Sequence, residues 1–191
     1  MFLLEQPSRE QTQNVIAAQR NLPFSYPDVG ASHGNMPAGY KVDHNCVRLG
    51  AGPAVFDRAV MAIRRWDMFD LGWMHLCWPE APITTGSTVA ILAAGFGLWT
   101  LNACRIVYVV EEGGPVQRYG FAYGTLPEHV GRGEERFTVE WRHDDDSVWY
   151  DILAFSQPNH LLMQLGYPAM RMLQRRFARD SKRAMQRAVT T

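Results

Sequence analysis

The sequence has no surplus of charge, few cysteines and no long hydrophobic run, and each shortage excludes a class of protein. Nineteen Lys and Arg balance nineteen Asp and Glu, so the chain lacks the overall positive field that holds nucleic acid non-specifically. Cys46, Cys77 and Cys104 are odd in number and widely spaced, unlike the dense, even framework of a disulfide-stapled secreted domain. They point to a reducing cytoplasm. The opening MFLLEQPSREQ meets Glu5 and Arg9 where a secretory signal would stay apolar. No apolar stretch reaches the roughly 18 residues of a membrane helix. Walker loop, GxGxxG fingerprint and HExxH are all missing, which removes the common nucleotide-dependent and metallohydrolase classes.

Aromatic residues are plentiful: six Trp, nine Phe and seven Tyr among 191 residues that are 47% hydrophobic and 20% charged. That length gives room for one core of ordinary size. The spacing predicts a helix over 7–20, opened by Pro7 and Ser8. A loop over 21–39 follows, broken by Pro23, Pro27 and Pro37 and pinned by Phe24 and Tyr26. Residues 40–49 alternate as a strand with Tyr40, Val42, His44 and Cys46 on one face, and Pro53 opens a helix over 53–66. Six more strands are expected near 73–78, 87–94, 101–111, 116–123, 134–142 and 148–155, with turn signals between them as in an antiparallel meander. After a turn around 160–165, Pro168 opens a long helix with Ala169, Met170, Leu173, Phe177, Ala184 and Ala188 in one stripe.

This order is α+β. It predicts a curved antiparallel sheet of about seven strands wrapped on the C-terminal helix over 40–191, with an N-terminal helix and covering loop in 1–39. One rod on a curled sheet leaves an apolar hollow suited to a small ligand. The arrangement resembles the helix-grip fold of the START and birch-pollen-allergen superfamily. A closer likeness lies in YGFAYGTLPEHVGRGEERF from Tyr119 to Phe137, taken with Trp66-Asp-Met-Phe69, LNACRIVYV at 101–109, AFSQP at 154–158, Phe24-Ser-Tyr26 and Val29-Gly30. Together these are similar to the family called domain of unknown function nineteen-ninety. The resemblance implies a fold and brings no activity with it.

Candidate site residues come from the strand patterns. Glu135 sits on the apolar row of Phe137, Val139 and Trp141, and Arg105 on the row of Leu101, Ala103, Val107 and Val109. A buried carboxylate needs a partner or a raised pKa. An Arg105–Glu135 pair, structural or ligand-orienting, and an edge position where Glu135 reaches water all remain open. Tyr119, Tyr123 and Thr125 share a face beside the loop carrying His129, so Tyr123, His129 and Glu134 form a candidate acid–base cluster. Their bland reading is hydrogen bonding within a glycine-rich turn. Trp66 and Trp99 are candidate cavity walls, though most tryptophans belong to the core. His44-x-Cys46 and His75-x-Cys77 repeat a ligand-like spacing but lack the tight CxxC loop of structural zinc sites; no metal or cofactor is expected.

Residues 171–187 hold seven basic residues against Asp180. Such a row is ordinarily the wet side of an amphipathic helix, with peripheral contact to anionic lipid as the alternative. Three functions compete. The first is a binding protein for a hydrophobic or amphipathic small molecule. The second is a cyclase- or hydrolase-type enzyme using Tyr123, His129, Glu134 and Glu135. The third is an interaction protein whose strands 87–94 and 101–110 are covered on the outside by a partner, a membrane or a second copy.

Overall fold

The computed structural model describes residues 1–159 and 167–190; the turn expected around 160–165 lies outside them. Alternating aromatic and branched residues build the sheet from β1 (Phe2–Leu3), β2 (Lys41–Ala51), β3 (Met74–Leu76), β4 (Thr88–Gly95), β5 (Leu98–Glu112), β6 (Val116–Thr125), β7 (Gly131–Arg142) and β8 (Ser147–Pro158). Among the described residues three α-helices accompany it: α1 (Arg9–Gln19), α2 (Pro53–Arg64) and α3 (Tyr167–Ala188). The antiparallel strands run in the order β2-β8-β7-β6-β5-β4-β3. The meander from β3 to β8 follows chain order, and β2 closes on β8 at the far edge. This is the expected α+β sheet gripping a C-terminal helix. The two-residue β1, beside Trp99 and Thr100 of β5, is too short for periodicity to reveal.

Ser8 caps α1 in a reciprocal box with Gln11, and Pro53 starts α2 where a missing N–H costs nothing. On β5 the register shifts between Ile106 and Tyr108. This bulge ends the row assumed for Leu101, Ala103, Arg105, Val107 and Val109: Val109 packs on the inner core, whereas Leu101 belongs to an outer cluster. α1 covers that outer face, burying Ile16 against Ala90, Leu92 and Leu101. The loop after α1 lies directly on β6, where a Cβ at Gly124 would come within 2.2 Å of the Tyr26 hydroxyl. Residues 1–39 therefore cover an outer surface that the third function assigns to a partner.

Beneath α3 the inner face is unevenly filled. Near α2 the rings are bulky and interlocked: Trp66 meets Phe121 at 4.7 Å, and Phe69 meets Phe137 at 5.5 Å and Phe177 at 5.4 Å. Toward the start of α3 some facing sheet positions are small, Ala93 and Ala154 among them, while Leu173 of α3 packs over Gly95. Helix and sheet cannot close on each other over such positions, because the bulky end holds them apart.

Candidate functional site

A cavity of about 1040 Å³ opens where the small residues stand, between α3 and the inner faces of β2, β8, β7, β6, β5 and β4. Its floor contains one row across the sheet: Asp43 opposite Ala154, Ala154 opposite Glu135, and Glu135 opposite Tyr123. The Tyr123 hydroxyl donates to Glu135 at 2.8 Å. Burial pushes the Glu135 carboxyl up to about 7, against the pull of that hydrogen bond. Burial likewise raises the Tyr123 phenol. Asp43 is chelated by Arg171 through both its oxygens, one contact at 2.6 Å, which ties α3 to edge strand β2. His129 lines the same cavity, its Nδ1 2.8 Å from the Gly131 carbonyl oxygen, and burial lowers its pKa to about 4. Thr125 lines it too, with its hydroxyl donating to the Gly133 carbonyl at 3.2 Å.

Other residues expected at the ligand space lie elsewhere. Glu134, adjacent to Glu135 on a strand, faces the opposite side. There its carboxylate accepts hydrogen bonds from the Tyr26 hydroxyl, the Gly30 and Ser32 amides and the Ser32 hydroxyl. The expected Tyr123–His129–Glu134 cluster is therefore not assembled. Arg105 does not pair with Glu135: its guanidinium donates to the Gln19, Arg20 and Leu22 carbonyls at the end of α1, beside the Phe24 ring. The row of Trp99, Leu101 and Ala103 is the more apolar on early β5, with Thr100 and Asn102 on the other, so sequence alone pointed this residue inward. Trp99 packs in the outer cluster with α1. Trp66 is 2% exposed, donates its indole N–H to the Ala81 carbonyl and belongs to the solid part of the core. Tyr119 is there as well, its hydroxyl accepting from Arg64.

The model of a family described as Domain of unknown function (DUF1990) matches residues 25–184. The chain belongs to this family. Relatives include UPF0548 proteins of Dictyostelium discoideum (35% identical, spanning 99% of this chain and 96% of the relative), Deinococcus radiodurans (36%; 98% and 98%) and Arabidopsis thaliana (31%; 94% and 93%). Among solved structures, Ara h 8.0201 superposes with a TM-score of 0.51 at 12% identity, over 80% of this chain and 99% of that one. At that identity the likeness shows the helix-grip fold alone.

Within this DUF1990 chain, the two His-x-Cys pairs lie on β2 and at the end of β3, at opposite edges of the sheet. His44 bonds to Asp151 instead. The spacing GxSxG does occur, at Gly30-Ala-Ser-His-Gly34. Ser32 lies there in a 3-10 turn, fully buried and bonded to Glu134, not exposed on a strand-to-helix elbow. The basic row of α3 is partly engaged: Arg176 stacks over Trp73 at 4.4 Å, and Arg176 and Arg179 reach Asp180. Sequence reading missed Asp43 and Arg171. Their signal was the alternate β2 row of Asp43, Asn45, Val47 and Leu49, whose last two members pack on the core. Among the described residues, no helix is long and apolar enough to cross a membrane.

Proposed function

We propose that the protein binds a hydrophobic or amphipathic small molecule between α3 and the sheet. The observation that carries this is the cavity of about 1040 Å³, with small aliphatic and aromatic walls and a few convergent polar groups. Its size is at the upper end of drug-sized sites. The free thiols of Cys46, Cys77 and Cys104 suit a reducing, cytoplasmic setting for that role. A ligand that binds only the native state raises the melting temperature by mass action, and saturation at a hundredfold excess over Kd should add about 5 °C or more. Ala154→Phe places a ring at the centre of the floor row. It is expected to abolish the ligand-induced shift while the unliganded protein keeps its circular dichroism. No shift across a broad apolar library, or a shift unchanged by Ala154→Phe, contradicts the proposal.

A second reading, an enzyme of cyclase or hydrolase type, rests on the Glu135–Tyr123 pair. A carboxyl poised near 7 inside a cavity can take and return a proton near neutral pH. This reading uses Glu135, Tyr123 and His129, without Glu134. It predicts that a bound compound leaves chemically altered, whereas recovery of an unchanged mass counts against it.

A further inference from the structure

Of the two acids in the floor row, only Glu135 has no basic partner among the described residues. Its hydrogen bond comes from the neutral Tyr123 hydroxyl, and it has no ion pair with any described residue. The adjacent acid, Asp43, is matched by Arg171. Of the other titratable groups in the cavity, His129 is kept uncharged by burial at neutral pH. Cys104 on β5 and Tyr150 on β8 are held protonated, again mainly by burial. Further basic groups, Lys41, Arg132, Arg175, Arg179 and Lys182, also line the cavity. All but the half-buried Lys182 are exposed to water, where screening weakens their reach.

Beside this carboxylate the cavity wall is aromatic, formed by the edge of the packed core at Tyr123, Phe69 and Phe177. Phe69 lies 6.1 Å from the Tyr123 ring and 5.4 Å from the Phe177 ring. A carboxylate in a low-dielectric site favours a cationic hydrogen-bond donor over a neutral one. An anionic head would meet like charge there, and a neutral alcohol would leave the ionised carboxylate without a counter-charge.

Resting on the ligand-binding reading, we infer that the ligand is an amphipathic amine. Its cationic nitrogen meets Glu135 while its apolar body lies along Phe69, Phe177 and Ala154. Binding then strengthens as Glu135 ionises, so preference for an amine grows as pH rises through about 7.

The test is titration calorimetry with decylamine, decanol and decanoate, which share one chain and differ in the head group. At pH 8 decylamine is expected to bind about tenfold or more tighter than decanol, with decanoate weakest. At pH 6 the gap narrows, although an alkylamine stays cationic at both values. Glu135→Gln should close the gap while decanol still binds. Tyr123→Phe keeps the carboxylate and should keep the preference at pH 8.5. Decanol or decanoate binding as tightly as decylamine overturns the amine assignment and leaves the cavity reading standing, as does a gap that survives in Glu135→Gln. Failure of all three to bind a folded wild-type protein overturns both.

Discussion

Glu134→Ala is expected to lower the free energy of unfolding by about 4 kcal/mol and to free the loop over 21–39 from the sheet. Glu134 is 2% exposed and receives the Tyr26 hydroxyl at 2.6 Å, the Gly30 amide at 2.8 Å, the Ser32 amide at 3.0 Å and the Ser32 hydroxyl. Alanine leaves each of these donors without its acceptor in a place water reaches poorly. Ser32 is itself fully buried and also bonds the Tyr108 hydroxyl at 2.6 Å, so the loss spreads across the outer face. Glu134→Gln keeps one acceptor oxygen but turns an amide group toward donors, and should cost roughly half as much. Urea unfolding gives the energies, and hydrogen exchange at the Gly30 and Ser32 amides reports the loop. A loss under about 1 kcal/mol, with exchange unchanged, would show that the loop is held by its aromatic packing instead.

Glu135 and His129 are expected to pull the pH dependence of stability in opposite directions. The native Glu135 carboxyl titrates near 7, above its ordinary 4.5. Between those values the folded state binds more protons than the unfolded one, so this group's contribution is full below 4.5 and is lost as pH rises through 7. His129 has a native pKa near 4, below its ordinary 6.5. Its contribution is full above 6.5 and is lost as pH falls toward 4. Each is on the order of 3 kcal/mol, and across the shared window from about 4.5 to 6.5 the two slopes cancel. Wild type should therefore be nearly flat there. Glu135→Gln should become acid-labile over that window, gaining on wild type as pH rises, and His129→Gln should become more stable in acid relative to wild type. Parallel denaturant series at pH 4.5, 5.5, 6.5 and 7.5 check both. Variant curves parallel to wild type would mean that neither group is held in an uncharged form.

The sheet order and the long last helix were legible because β4 to β8 are hairpin neighbours, each bounded by strong turn residues, and because α3 carries a clean apolar stripe. The odd carboxylate Glu135 was legible for the same reason: alternation along β7 is regular, so one acid on the Phe137 row stands out. Residues whose facing depends on distant chain were not legible. Arg105 looked inward because its row, with Trp99, Leu101 and Ala103, is the more apolar of the two on early β5, and only the α1 contact shows that this row is outer and covered. The donors that hold Glu134 were not legible for a similar reason, since a loop a hundred residues upstream supplies them. Trp66 and Trp99 show the limit of composition: an aromatic count says that rings are buried, not which side of the sheet they serve. Asp43 and Arg171, 128 residues apart, meet only because β2 closes on β8 beneath α3.

The hollow under the first half of α3 is the feature on which the proposed function rests, and a crystal structure with the compound giving the largest rise in melting temperature tests it most directly. The compound is expected over the floor row, in contact with Tyr123, Ala154 and Glu135 and covered by Phe177. Its appearance outside that space, with the hollow collapsed or holding only water, would contradict the account.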